Sequence, residues 1–229
     1  DHCPNGLQVE GKTDLRHLVS GVTASQALIE AARDRGADAI LVHHGYFWRS
    51  EPPCITGMKA TRVRALIQAD INLFAYHLPL DCHPQHGNNA ALGRLMGIEA
   101  PDTLDPEDPG APVFRGQLAE SLTVQGLADR LSVALDRSPL VIGEGDVTSV
   151  AWCTGAGQGY IDLAADAGAD VYVTGEVSEQ TAHVASERGI AFIGAGHHAT
   201  ERYGVQAVGS LAAEALGLSH EFIDIDNPA

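Results

Sequence analysis

Residues 35–45 read Arg35-Gly36-Ala37-Asp38-Ala39-Ile40-Leu41-Val42-His43-His44-Gly45, and this stretch decides the fold. The first glycine stops a helix, four apolar residues follow as a short buried strand, and two histidines emerge where strand gives way to loop. The pattern returns. Ser25-Gln26 through Arg35-Gly36-Ala37-Asp38 and on to His43 is echoed by Gly157-Gln158 through Ala167-Gly168-Ala169-Asp170 and on to Gly175-Glu176, at an offset of 132 residues. Leu28, Ile29 and Ala32 in one helix match Ile161, Ala164 and Ala165 in the other. Each copy leads into a further helix and strand, 62–69 before 71–76 and 180–188 before 190–195, at an offset of 119. The 13-residue difference corresponds to an extra loop around Glu51-Pro52-Pro53 in the first copy. A duplicated β-α-β unit with right-handed crossovers predicts an α/β fold of two related halves, with both sets of strand ends around one cleft. The halves are expected at 1–99 and 100–229.

In open α/β sheets, ligands bind beyond the carboxyl ends of strands. Here three strand ends deliver imidazole and two of them add a carboxylate: His43-His44, then His77 with Asp81, then His197-His198 with Glu201. Nitrogen and oxygen donors of this kind suit Zn, Fe, Mn or Ni, so the residues predict a metal site holding two ions. The i,i+4 spacing of His197 and Glu201 at the start of a helix puts both on one face. Pro79 argues against a continuous helix from His77 to Asp81 and predicts a turn there. Under the repeat, His43-His44 is matched by Glu176, and the Asp81 region by Glu201. A single histidine is ordinarily a surface or core residue and a short motif has a high false-positive rate. The weight lies in the repetition.

The remaining sequence narrows the alternatives. With 229 residues and 45% apolar content, the chain has ample length for a globular core. No apolar run is long enough to span a bilayer and no signal-peptide pattern opens the sequence, which starts at Asp1 and not at Met and so leaves room for an upstream segment. Net charge is −16, and Lys12 and Lys59 are the two lysines, so no basic stripe offers itself to nucleic acid. Cys3, Cys54, Cys82 and Cys153 are widely spaced with no C-x-x-C, which fits reduced cytosol and argues against a disulfide scaffold. Cys82, beside Asp81, reads as a reactive thiol or, more simply, a small packing residue. The segment Pro101–Gly116 reads as an exposed loop, 122–135 as a helix with Leu127, Leu131 and Leu135 on one face, and 220–226 as a final strand.

Several motifs, in order, carry a resemblance. Asp1-His2-Cys3-Pro4-Asn5-Gly6-Leu7-Gln8-Val9-Glu10, the run His43 to Trp48, His77-Leu78-Pro79-Leu80-Asp81 with Gly87-Asn88-Asn89, Thr174-Gly175-Glu176, and Gly196 to Glu201 all resemble the Nif-three-like dinuclear-metal proteins. These are also called type 2 GTP cyclohydrolase I homologues. The likeness covers nearly the entire chain and is to the short bacterial form, which lacks a central inserted domain. It implies that His43, His44, Asp81, His197 and Glu201 stand at metal-ligand positions, with Glu201 able to bridge two ions, and that His77 lines the same site. It also implies two related α/β halves and a ring-shaped homohexamer.

Two functions follow from one ligand set. In the first, the protein is a metal-dependent hydrolase of a nucleotide or related heterocycle. Two ions about 3.5 Å apart could activate a shared water and polarise the substrate. Five side chains would leave coordination positions open. His77 is then the candidate proton carrier and Glu176 an alternative base, although for both the plainer role is to hold a ligand by a hydrogen bond. Tyr46, Phe47 and Trp48 are candidates for a wall that stacks a base, or for core. In the second function, the protein handles or delivers metal without catalysis. A DNA-associated adaptor role is disfavoured because no basic patch is present.

Overall fold

The computed structural model describes residues 1–105 and 112–229. In chain order the elements begin with β1 (Gly6–Val9), β2 (His17–Thr23), α1 (Gln26–Asp34), β3 (Ala39–His44), α2 (Gly57–Ala69), β4 (Asn72–Ala75) and α3 (Leu78–Asp81). The middle of the chain forms α4 (Asn88–Met96), β5 (Asp102–Thr103), β6 (Phe114–Thr123), α5 (Val124–Leu135), β7 (Leu140–Ile142) and β8 (Asp146–Cys153). After a 3-10 turn at Gln158–Tyr160 come α6 (Ile161–Asp166), β9 (Val171–Thr174), α7 (Glu179–Arg188), β10 (Ala191–Gly194), α8 (His197–Thr200), α9 (Arg202–Leu216) and β11 (Ser219–Phe222). The protein is therefore mixed α/β, as its repeat predicts.

Two compact units share the chain: Asp1–Leu80 with Gly204–Asp226, and Asp81–Tyr203 with Asn227–Ala229. This differs from the single cut expected after residue 99. Packing explains the difference. Leu92, Met96 and Ile98, in and just after α4, are buried in the second unit's core beside Trp152, whose Nε1 donates to the Asn89 carbonyl at 2.9 Å. Val208 and Ala212 of α9 pack instead on Leu18 and Leu41 of the first unit.

The first unit's sheet has the order β1-β4-β3-β2-β11, with β1 antiparallel at one edge and the other neighbours parallel. The second has the order β5-β6-β8-β9-β10-β7, in which β8, β9 and β10 are parallel and β5, β6 and β7 run against their neighbours. Central parallel strands are covered on both faces, which is why β3 and β9 are apolar almost throughout. In both units the strand enters from a helix through a Gly at positive φ, Gly36 at 70° and Gly168 at 74°, where a side chain would be strained.

The registers coincide under the two offsets of the repeat. Leu18 pairs with Ala39 and Ala39 with Asn72; Val150 pairs with Val171 and Val171 with Ala191. Asp38 Oδ2 accepts from the N–H groups of Arg16 and His17 at 2.6 and 2.9 Å, and Asp170 Oδ2 accepts from those of Thr148 and Ser149 at 2.9 and 2.8 Å. Each aspartate thus anchors the start of its β-α-β unit to the neighbouring strand.

Elsewhere the expectations need adjustment. Segment 101–116 is not simply an exposed loop: β5 pairs with the start of β6, and Leu104 and Val113 are buried. Residues 106–111 lie outside the described part. The final strand is shorter than 220–226, ending at Phe222. The predicted stripe on α5 is present, with Leu127, Leu131 and Leu135 buried.

Asp38 supplies a stability test. Burial acts to raise its pKa, but the Lys12 ammonium at 2.7 Å and the N–H groups of Arg16 and His17 outweigh burial and lower it to about 2. The stabilisation is present above the unfolded-state pKa, near 4, and is lost as pH falls toward 2. Asp38→Asn is expected to cost about 2 kcal/mol at pH 7 and to flatten the acid limb of the stability curve, as read by urea unfolding at a series of pH values. An unchanged acid limb would contradict this role.

Candidate metal centre

In the first unit, β3 carries His43 and His44 to its end, and β4 is followed by His77. Ligand atoms of the three imidazoles all lie within 4.8 Å of one another. Nitrogen ligands of one tetrahedral zinc ion stand about 3.4 Å apart, a spacing that the 4.8 Å limit admits. Ring centroids are 4.6 Å apart for His43 and His44, 5.0 Å for His43 and His77, and 5.9 Å for His44 and His77. His43 is fully buried. Its Nδ1 donates to the Tyr76 carbonyl at 2.9 Å, which leaves Nε2 as the atom with the lone pair. The Tyr76 N–H extends the parallel ladder by bonding the Val42 carbonyl at 3.0 Å, so strand pairing places that acceptor behind the ring. His44 Nδ1 meets Thr23 Oγ1 at 3.1 Å.

His77 is held from the start of the chain. Asp1 Oδ1 accepts from its Nδ1 at 2.8 Å, Asn5 Oδ1 accepts from its N–H at 2.8 Å, and Asp1 Oδ2 accepts from the Leu78 N–H at 3.0 Å. Spacing does not single out Asp1 and Asn5 as site residues, because nothing local ties residues 1–5 to residue 77. The expected turn at Pro79 is a one-turn helix, α3, in which the proline takes the second position. No intrahelical N–H is needed there, so the ring causes no loss.

Of the three aromatic residues, two are core. Tyr46 is buried and donates its hydroxyl to the Ala24 carbonyl at 2.7 Å, and Phe47 packs on the same cluster. Trp48 alone faces the histidines, 4.8 Å edge-to-face from His77 and 6.0 Å from His44.

In the second unit, Asp81, Glu176, His197 and Glu201 are held by hydrogen bonds. Asp81 is buried, and its Oδ1 accepts from Asn88 Nδ2 at 2.9 Å and Thr154 Oγ1 at 3.2 Å. Asn89 completes the frame: its Nδ2 donates to the Asp81 carbonyl at 3.2 Å and its Oδ1 accepts from the Thr154 N–H at 3.0 Å. His197 opens α8, and the i,i+4 expectation holds: its Nε2 lies 3.2 Å from Glu201 Oε2. Its Nδ1 lies 2.7 Å from Glu176 Oε1, and Gln158 Nε2 donates to Glu176 Oε2 at 3.2 Å. Burial acts to lower the pKa of His197, but the Glu201 and Glu176 carboxylates overcome it and raise it to about 9. A position that holds a proton this firmly also attracts a metal cation, for the same electrostatic reason. Burial, reinforced by the negative charges of Asp81 and Glu201, pushes the Cys153 thiol well above its ordinary value.

Gly155 makes room for this carboxylate. A Cβ there would collide with Glu201 Oε1 and come within 3.1 Å of His197 Nε2, and the residue's φ is +64°.

These features define an α/β protein whose strand ends present imidazoles and carboxylates able to take a metal ion. A family model described as Duf34/NIF3 (NGG1p interacting factor 3) matches residues 1–228, and the chain belongs to this family. A Pseudomonas aeruginosa protein called GTP cyclohydrolase 1 type 2 homolog is 55% identical over 230 residues, covering 100% of this chain and 91% of its own. A solved structure described as protein ybgI, of unknown function, matches with TM-score 0.94 and 50% identity, covering 100% of this chain and 92% of its own. A Thermus thermophilus protein of known structure matches with TM-score 0.90 and 36% identity, over 100% of this chain and 91% of its own.

Gly155→Ala is expected to displace Glu201, to cost about 1–3 kcal/mol in stability, and to reduce metal retained after dialysis. Metal retention equal to the parent protein would show that Glu201 needs no such space.

Proposed function

We propose that this chain is a dinuclear metal protein in which His43, His44, Asp81, His197 and Glu201 hold two divalent ions drawn from Zn, Fe, Mn or Ni, and that it hydrolyses a nucleotide or related heterocycle. The observation that carries the reading is control of the ring nitrogens: Tyr76 O and Glu176 Oε1 sit on the Nδ1 atoms of His43 and His197. An acceptor behind the ring fixes the tautomer and orients a metal-binding imidazole. Asn88 and Thr154 do the equivalent for Asp81. Bound ions of this kind polarise a substrate and acidify water.

His77 is the proton carrier in this reading. Asp1 accepts from its Nδ1, so Nε2 is the atom that takes and returns a proton. Glu176 is the alternative base; its bond to His197 supports a positioning role. Trp48, half-buried beside His77, is the aromatic face available to a planar heterocycle. The name of the Pseudomonas aeruginosa relative makes guanine nucleotides the first class to assay.

The same reading extends to the whole protein. The shared registers and the paired roles of Asp38 and Asp170 support an internal duplication. The resemblance supports a homohexamer. No helix among the described residues is long and apolar enough to cross a membrane, and the four cysteines form no disulfide, in keeping with a cytoplasmic protein.

Glu201→Gln is expected to weaken metal retention at least about tenfold, because a neutral amide bridges cations poorly. His77→Ala is expected to keep both of these ions while turnover falls about 10²–10⁴-fold. Bound metal and hydrolysis of GTP and a nucleotide panel are measured on both variants. Loss of both ions with His77→Ala would make it a ligand or support. If the metal-replete parent turns over nothing across the panel, metal handling replaces hydrolysis.

A further inference from the structure

His77 belongs to a second group of donors besides His43 and His44. A carboxylate oxygen of Asp1, the Sγ of Cys3 and a ring nitrogen of His77 all lie within 4.8 Å of one another. The three side chains are largely shielded: Asp1 and His77 are 11% and 15% exposed, and Cys3 is 8% exposed. The carboxylate is aimed by donors of its own, Asn5 Nδ2 at 2.9 Å and the Leu78 N–H at 3.0 Å, both to Oδ2. Its other oxygen faces His77 Nδ1 at 2.8 Å. Asn5 returns to the His77 backbone, so one short segment fixes both ends of the pair.

We infer that Asp1, Cys3 and His77 form a separate, thiolate-containing cation site in the first unit. Donor chemistry selects the ion. One thiolate, one imidazole and one carboxylate suit a borderline-soft ion such as Zn²⁺ or Co²⁺, and suit Mg²⁺ or Ca²⁺ poorly. Ligands of a tetrahedral zinc ion stand about 3.3–3.8 Å apart, within the 4.8 Å limit, and Asp1 Oδ1 and His77 Nδ1 would part slightly from their 2.8 Å to admit the ion. Charge also balances. Entry of a divalent cation releases the Sγ–H proton of Cys3 to solvent, and the His77 ring proton shifts from Nδ1 to Nε2, leaving a neutral imidazole and two negative ligands around a doubly positive ion. Neutral sites of that kind tolerate burial. The ion takes the place of the hydrogen that now joins His77 to Asp1. The assignment stands independently of any hydrolytic activity.

Cobalt titration of metal-free protein tests it. Cobalt bound only by imidazole and carboxylate gives weak visible bands, whereas a thiolate ligand adds an intense near-ultraviolet charge-transfer band. The band is expected in the parent protein, in Cys54→Ser, in Cys82→Ser and in Cys153→Ser, and is expected to vanish in Cys3→Ser with loss of one bound equivalent. Asp1→Asn should weaken that equivalent about tenfold or more. Should Cys3→Ser fold poorly, the parent protein answers alone: Zn²⁺ should slow alkylation of Cys3, read by peptide mass spectrometry, and leave exposed Cys54 unaffected. Absence of the band at saturating cobalt, its survival in Cys3→Ser, an unchanged affinity in Asp1→Asn, or alkylation of Cys3 indifferent to zinc would each overturn the site.

Discussion

An imidazole can carry its proton on either nitrogen, and in this protein an oxygen acceptor faces Nδ1 at three rings. Tyr76 O stands behind His43, Asp1 behind His77 and Glu176 behind His197. Leaving a shielded N–H without such a partner would cost about 1–3 kcal/mol, so these bonds matter for folding as well as for chemistry. The architecture supplies them by simple means. Parallel pairing of β3 with β4 sets the Tyr76 carbonyl at the level of His43, and the chain leaving β9 reaches Glu176 two residues beyond the strand.

Electrostatics give the arrangement its preference for cations. The chain carries a net charge of −16, and in the second unit Glu176 and Glu201 flank a single imidazole. Their combined field keeps His197 protonated up to about 9. A divalent ion would compete for the same place, with twice the charge. Gly155 contributes by lacking a side chain, since any Cβ would occupy the space of the Glu201 carboxylate.

Much of this was legible in the residues. Helix, Gly stop and buried strand recur at a fixed offset, and the two parallel three-strand registers follow those offsets; periodicity reports local structure well. The ligand candidates were legible for the same reason, because they sit at strand ends and at i,i+4 spacing. What the sequence did not reveal is non-local. Asp1 and Asn5 meet His77 across more than seventy residues, and Asn88, Asn89 and Thr154 frame Asp81 through tertiary contact. The unit boundaries were hidden likewise, since α4 and α9 join cores chosen by packing and not by chain order. Tyr46 and Trp48 are two residues apart, yet one is core and the other faces the histidines, a distinction composition alone cannot make.

The central claim is that five named side chains hold two ions. Anomalous diffraction from crystals of metal-replete protein, recorded on both sides of the absorption edge of the bound element, tests it most directly. The account predicts two peaks about 3.5–4 Å apart, ligated by His43, His44, Asp81, His197 and Glu201, with Glu201 touching both. A single peak, or peaks ligated by other residues, would contradict it.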